Sequence, residues 1–479
     1  MAPRTLRGSQ LVRLLGHWKE TGPEYQDLAR GLRNLLLDGR VPLQLRLPAE
    51  RELAAALDVS RTTVSAAYRT LREGGYLVSR RGAGSWTALP EGHRLTPSGL
   101  LTRHSEAGLL DLSLAAPPAP EIFQDAVTEA VAELPRYAVG HGYYPMGIAP
   151  LRAAVAEWYS ARGVPTSAAQ VVVTSGAQQA FHLALRVLTS PGEAILMESP
   201  TYPNAPETAR GERLRLVSYG LGPAGFDPEL LADAVRQVRP KLAYLTPDFH
   251  NPTGHVMPDH GRGRLVAAAH ASGTTVLIDE TFVELDFGEH PLPPPVASYD
   301  RHGLVLSIGS MSKAFWGGLR LGWIRGPASL MTRLGAARSA TDLGSAVLEQ
   351  LIALRLLARR EQVLPQRRGA FRRARDFLLT AVTERFPQWR VTPPAGGVGL
   401  WIELDGPASS ALVRAAETHG LRLVPGHRFS VDGLLEQYLR VPFTLPLGEL
   451  AAAVERLAAA HQTLQQGSAP EWPPSLVVA

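Results

Sequence analysis

Cysteine is absent from all 479 residues, which excludes disulfides, thiolate zinc sites and cysteine nucleophiles together. Lysine is nearly absent: of the 49 Lys and Arg residues only Lys19, Lys241 and Lys313 are lysine, so chemistry that needs a primary amine has three candidates. No uninterrupted apolar run is long enough to cross a bilayer, and the start, MAPRTLRGSQLVRLLGHW, lacks an apolar stretch with a small-residue cleavage site. A cytoplasmic protein with no membrane partner and no metal site is expected. The remaining composition, 45% hydrophobic and 19% charged, is that of an ordinary globular protein. The length exceeds what one core organises, so two folding units are expected.

The net charge of +5 is unevenly placed. Residues 1–90 hold fourteen Lys and Arg against eight Asp and Glu, while the other 389 residues hold 35 against 36. A basic surplus confined to one end suits a polyanionic partner there. Residues 25–37, YQDLARGLRNLLL, place Leu28, Leu32, Leu35 and Leu36 on one helical stripe. From Pro48, two short helical patterns flank Asp58-Val59-Ser60, with Pro48 as a helix opener and Ser60 as an N-cap. That spacing is the spacing of a helix-turn-helix. Tyr76 to Arg80 and Ser85 to Thr87 read as two strands joined by Arg81-Gly82-Ala83-Gly84, a wing.

Residues 89–110 mix Pro, Gly, Ser and charge without a sustained period, as linkers do. The expected division is therefore 1–88, a linker over 89–110, and 111–479. In the last part the apolar runs 171–175, 194–198, 242–246, 275–279 and 304–310 alternate with helical stretches, as in an α/β unit with buried parallel strands. No repeat is present, and only the tail 467–479 reads as irregular.

In RTTVSAAYRTLRE, residues 61–73, Val64, Ala67, Tyr68 and Leu71 form an inward stripe, leaving Arg61, Thr62, Ser65 and Arg69 for the major groove. Arg51, Arg80 and Arg81 would add phosphate contacts. The series LPAERELA, SRTTV, EGGYL and RRGAGS resembles the winged helix-turn-helix of the GntR regulators over residues 25–87, which implies double-stranded operator DNA as a partner.

A Schiff base with an aldehyde requires a lysine, and Lys313 stands between Ser310 and Arg320, a hydroxyl and a guanidinium that both bind phosphate oxygens. Asp279 ends the apolar run TVLID, where a carboxylate needs a partner such as a pyridinium nitrogen. Asn251 in HNPTG can donate to a phenolic oxygen, Ala177 and Gln178 open a helix whose N–H groups can cradle phosphate, and Tyr202 could stack on a ring. The motifs TSGAQQA, ESPTYP, NPTG, IDE, SMSK, GLRLGW, GGVGLWIEL and YLRVPF resemble fold-type I aminotransferases over residues 111–465. Joined to a GntR domain, the chain resembles the MocR regulators.

The resemblance implies a pyridoxal 5'-phosphate domain of mostly parallel sheet with a smaller α+β C-terminal subdomain, assembled as a homodimer. Carried over by position, Lys313 would hold the cofactor covalently, Asp279 would pair with the ring nitrogen and Asn251 would bind the phenolic oxygen. Ser310, Arg320, Ala177 and Gln178 would hold phosphate, Tyr202 would stack on the ring, and Arg440 would receive an amino-acid carboxylate. Two departures stand out. Phe282 replaces a tyrosine that would reach the phenolic oxygen, and HGYYPMG (141–147) leaves Tyr143 and Tyr144 both eligible to reach a partner subunit's phosphate. The expected function is a transcription regulator sensing pyridoxal phosphate or a small amino compound. The alternatives are an active aminotransferase with an accessory DNA-binding domain and a DNA-binding module with an empty second domain.

Overall fold

The computed structural model describes residues 5–16, 18–19, 22–37, 39–80, 84–88, 108–289 and 291–466. Four helices and a hairpin make up the N-terminal unit: α1 Gly8–Leu15, α2 Glu24–Leu37, α3 Glu50–Leu57, α4 Arg61–Glu73, β1 Leu77–Arg80 and β2 Gly84–Thr87. The strands pair antiparallel, Leu77 opposite Thr87. Ser60 caps α4 by accepting from the Thr63 N–H at 3.0 Å, satisfying one of the donors a helix start leaves open. The turn into α4 passes through Asp58 at φ +53, a left-handed position that Asp tolerates. The expected stripe is the packed one: Val64, Ala67, Tyr68 and Leu71 are buried, and the Tyr68 hydroxyl donates to the Pro48 carbonyl at 2.9 Å.

One helix here was not expected. The first helical stripe in the sequence starts at residue 25, yet Gly8–Leu15 forms α1, which at eight residues is too short to persist alone. Tertiary contacts hold it: Leu11 is fully buried, and the Gly8 N–H donates to the Glu52 carboxylate at 2.7 Å.

The larger unit is built on a seven-stranded sheet. Its strands are β4 Val171–Thr174, β5 Ala194–Ser199, β6 Arg215–Gly220, β7 Leu242–Leu245, β8 Thr275–Asp279, β9 Val305–Ser310 and β10 Gly322–Arg325. Here β3 is the short Leu110–Asp111, outside this sheet and parallel to Leu421–Arg422. The order is β4-β10-β9-β8-β7-β5-β6, with β10 antiparallel to both neighbours. All five apolar runs of the sequence are strands of this sheet. The two unforeseen strands lack that signature: β6 is an edge strand of mixed polarity, and β10 is only GWIR.

A smaller antiparallel sheet follows, formed by Arg390–Val391, Gly399–Glu403, Tyr438–Pro442 and Val424–Pro425. It packs with the helices Arg360–Arg385, Ser409–Thr418 and Leu447–Gln465 around Leu378, Leu400, Leu412 and Leu450. Among the described residues no helix is long and apolar enough to cross a membrane. Most of the expected linker, residues 89–107, and the tail 467–479 lie outside the described residues. The chain is already packed at Gly108, whose carbonyl accepts from Arg456 at 2.7 Å.

Candidate functional site

Parallel strands of an open α/β sheet end on a common edge, and a crevice forms there. The ends of β4, β5, β7, β8 and β9 deliver side chains into one cavity of about 230 Å³. All nine residues expected around a cofactor and its ligand line it: Ala177, Gln178, Tyr202, Asn251, Asp279, Ser310, Lys313, Arg320 and Arg440.

Lys313 follows β9 on a π-helical turn, Ser312–Trp316, and its amine donates to the Ala115 carbonyl at 2.7 Å. Burial, then the nearby Arg440 and Arg320 cations, pulls its pKa from 10.5 to about 8, against the opposing pull of Asp279. The amine is therefore a better nucleophile near neutral pH than an exposed lysine. Asp279, the last residue of β8, is almost fully buried. One carboxylate oxygen accepts from the Tyr244 hydroxyl at 2.7 Å, and the other accepts from the Thr281 N–H at 2.9 Å. Burial and the Asp279 charge push the Tyr244 hydroxyl well above its usual range, so it stays a donor.

The loop bearing Asn251 is fixed from below by an ion pair with both partners buried, Arg262 to Asp248 at 2.5 Å. The same guanidinium donates to the Met257 and Pro294 carbonyls at 3.1 Å. Arg320 adopts φ +49 and reaches toward the Ser175 carbonyl at 3.4 Å, close enough to Gly176 that a Cβ there would sit 3.0 Å from its Nη2. Ser310 and Ser312 share a hydroxyl hydrogen bond at 3.0 Å. Arg440 lies 5.0 Å over the Phe429 ring and donates to the Ser113 carbonyl at 2.5 Å. Burial lowers its pKa to about 10, which leaves it a cation at neutral pH.

Sequence reasoning missed Tyr244 and Arg428, both of which line the cavity. Tyr244 left a signal: a tyrosine inside a buried strand needs a partner for its hydroxyl, and the neighbouring strand ends in Asp279. Phe282 is buried in the cavity wall and offers no donor. Of the two tyrosines in 141–147, Tyr143 is exposed, while Tyr144 packs edge-on against Tyr137 at 6.0 Å; neither lines the cavity.

The second candidate site is the outer face of α4. Arg61, Thr62 and Arg69 are exposed there and Ser65 is half-buried, all at helical spacing on one side, and Arg51 is exposed on α3. Arg61 makes only a loose pair with Glu50 at 3.7 Å. Arg81 and the wing turn 81–83 lie outside the described residues, as does the side chain of Arg80, whose backbone belongs to β1.

Residues 121–457 match the family of class I and II aminotransferases, and residues 24–86 match the gntR family of bacterial regulatory proteins. The chain is 33% identical to the 2-aminoadipate transaminase of Thermus thermophilus over 72% of its own length and 89% of that enzyme's. It is 27% identical to the uncharacterized HTH-type transcriptional regulator YdcR of Escherichia coli over 89% of itself and 96% of that protein. Among solved structures, the α-aminoadipate aminotransferase LysN of Thermus thermophilus, complexed with N-(5'-phosphopyridoxyl)-L-leucine, superposes with a TM-score of 0.69 at 31% identity. That match covers 75% of this chain and 94% of LysN. The chain belongs to the class I and II aminotransferase family and carries in front of it a gntR-family helix-turn-helix, the architecture of the MocR regulators.

Proposed function

We propose that this protein is a DNA-binding transcription regulator whose cavity takes pyridoxal 5'-phosphate and, beside it, a small amino compound. The observation that supports the proposal is the presence in one chain of two groups of residues whose chemistry suits these two ligands. One is an exposed polar and basic face on α4, and the other is a buried amine set among phosphate- and carboxylate-binding groups.

The cavity's chemistry fits the cofactor. Gln178 Oε1 and Arg440 Nε are buried without a hydrogen-bond partner, and an unpaired buried polar atom is costly unless a ligand meets it. Arg320, Ser310 and the first N–H groups of the Ala177–Leu188 helix would hold the phosphate. Tyr202 would cover the ring, Asn251 would donate to its phenolic oxygen, and Asp279 would hold a proton at the ring nitrogen. When bound, the cofactor supplies an aldehyde that condenses with an amine and a ring that withdraws electrons. Lys313, part-deprotonated at neutral pH, is the amine placed to attack, and Arg440 is the cation placed to receive a ligand carboxylate.

Pyridoxal phosphate, alone or with the amino ligand, acts as effector only if it binds two arrangements of the protein with different affinity. A homodimer, working on DNA in the cytoplasm, completes the proposal. Val139, Tyr143 and Leu343 stand exposed near the 141–147 turn, an apolar surface suited to a second copy, and Tyr143, exposed while stacked on His141, would be the tyrosine to reach across.

A second reading, an active aminotransferase, is favoured by Lys313 and Arg440 sharing the cavity and disfavoured by Phe282. The test is a visible spectrum of the purified protein with pyridoxal phosphate, a transamination assay, and anisotropy of DNA from upstream of its gene. The regulator reading expects cofactor absorbance, DNA binding and slow or absent turnover. Rapid turnover with no DNA binding at low salt would overturn it.

A further inference from the structure

The N-terminal unit is seated on the larger one by specific contacts. Along α1, Gln10 Nε2 donates to the Asp233 carboxylate at 2.8 Å in buried surroundings, and Arg13 pairs with Asp227 at 2.7 Å. The turn after α2 presses its backbone against the end of β6. A Cβ at Gly220 would lie 2.3 Å from the Gly39 carbonyl and 2.6 Å from that of Arg40, so only glycine allows the approach. A third anchor comes from the C-terminal subdomain, where the Leu435 N–H donates to the Leu37 carbonyl at 3.2 Å and satisfies an acceptor that the end of α2 leaves open.

Leu435 is an unusual residue for that task. It holds φ +79, a conformation disfavoured for leucine and kept only where the surroundings over-determine it, and its side chain is 1% exposed. Gly39 sits against that side chain, since a Cβ there would meet it at 3.4 Å.

Leu435 does not itself line the cavity, but its backbone touches two segments that do. A Cβ at Gly426 would stand 2.1 Å from the Leu435 carbonyl and 2.4 Å from that of Tyr438, so the three backbones are in close contact. Gly426 opens the turn Gly426–Phe429, which puts Arg428 and Phe429 into the cavity wall, and Tyr438 opens the strand that puts Arg440 there. Between them the Asp432 and Leu434 N–H groups both donate to the Ser430 hydroxyl, at 3.1 and 3.0 Å. Residues 426–440 thus form one compact body with guanidinium groups on the ligand side and a strained leucine on the side of the DNA-binding unit.

We infer that this body, pivoting at Leu435, is the element that carries ligand occupancy from the cavity to the seat of the winged helix. A carboxylate engaging Arg440 moves the body, and the Leu435–Leu37 contact moves with it, independently of the linker. The inference rests on the reading that the cavity takes the cofactor and an amino carboxylate. Packing alone is not coupling, and a two-state response must be measured.

The probe is N-(5'-phosphopyridoxyl)-L-leucine, which carries phosphate, ring and carboxylate together, added to the full-length protein. Binding is followed by calorimetry, and hydrogen exchange by mass spectrometry of peptides covering 37–43 and 431–438. On saturation, exchange in both peptides is expected to change by about threefold or more. The variant Leu435→Gly keeps the N–H, relieves the strain and removes the packing. It should bind the probe within about twofold of wild type yet lose the change at 37–43. Binding without any change at 37–43 in the wild type overturns the inference, even where the variant proves unstable, and so does full transmission through Leu435→Gly. Failure of the wild type to bind the probe sinks the cavity reading itself, and this inference with it.

Discussion

The two halves of the chain keep their working charges in opposite ways. On α3 and α4, Arg51, Arg61 and Arg69 stand in solvent, whereas in the cavity Lys313 and Arg440 are buried and their pKa values are pulled down by that burial. An exposed cation costs little to hold and gains its energy by displacing counterions from a phosphate backbone. A buried cation is costly until an anion meets it, so on the proposed reading the cavity would favour ligands that bring phosphate and carboxylate. Substitutions in the two regions should therefore differ in kind as well as in size.

The largest effect is expected at Lys313. Lys313→Ala should abolish covalent capture of pyridoxal phosphate, read by borohydride reduction and peptide mapping, while leaving thermal stability near wild type. Label at Lys241 would show that the wrong amine has been chosen. Next comes the ion pair beneath the Asn251 loop. Arg262→Met leaves Asp248 buried and unpaired and should cost about 3–5 kcal/mol in denaturant unfolding, against less than about 1 kcal/mol for breaking the exposed Lys19–Glu24 pair. Equal costs would erase the contrast between the two regions.

Smaller effects sharpen the comparison. Tyr244→Phe removes a hydrogen bond to the Asp279 carboxylate and should weaken cofactor affinity by roughly 1.5–3 kcal/mol, with a shift in the pH dependence of the bound cofactor's absorbance. An unchanged spectrum would reduce Tyr244 to packing. Arg61→Ala should weaken DNA binding by about 1–3 kcal/mol and relax preference at one base pair if it reads a base edge. A uniform loss with a flatter salt slope would make it a phosphate contact instead.

The smallest effect is in the pH profile. Because the Lys313 pKa is lowered to about 8, the rate of cofactor capture should rise with pH and level off above about 8, where the amine is already neutral. A rate still climbing toward 10.5, the ordinary lysine value, would mean the amine is not desolvated.

The sequence made these regions legible to different depths. The helix-turn-helix could be read because its signals are local: Ser60 caps the helix that follows it, and Val64, Ala67, Tyr68 and Leu71 recur on one face. Asp279 and Ser310 could be read because they end strands of the parallel sheet, where side chains converge. Arg440, in the middle of a strand of the smaller sheet, was legible only through the family resemblance. What escaped depends on distant partners. Helix α1 exists through Glu52 and a buried Leu11, and β10 is a four-residue strand made by its neighbours. Arg428 looks like any surface arginine until the turn Gly426–Phe429 aims it at the cavity. The contacts of Leu435 with α2 span almost four hundred residues, beyond any local pattern.

The central claim is that cavity and DNA-binding face are thermodynamically linked, and operator affinity tests it most directly. Anisotropy on labelled DNA from upstream of the gene would be titrated with wild type and Lys313→Ala, with and without pyridoxal phosphate and a panel of amino acids and amines. Linkage predicts a change in wild-type affinity of about 1–3 kcal/mol, roughly 5–150-fold, under at least one ligand condition. Lys313→Ala should lose that change while still binding DNA. Identical wild-type affinities under every ligand condition, alongside rapid turnover of an amino donor, would contradict the account and make the protein an enzyme.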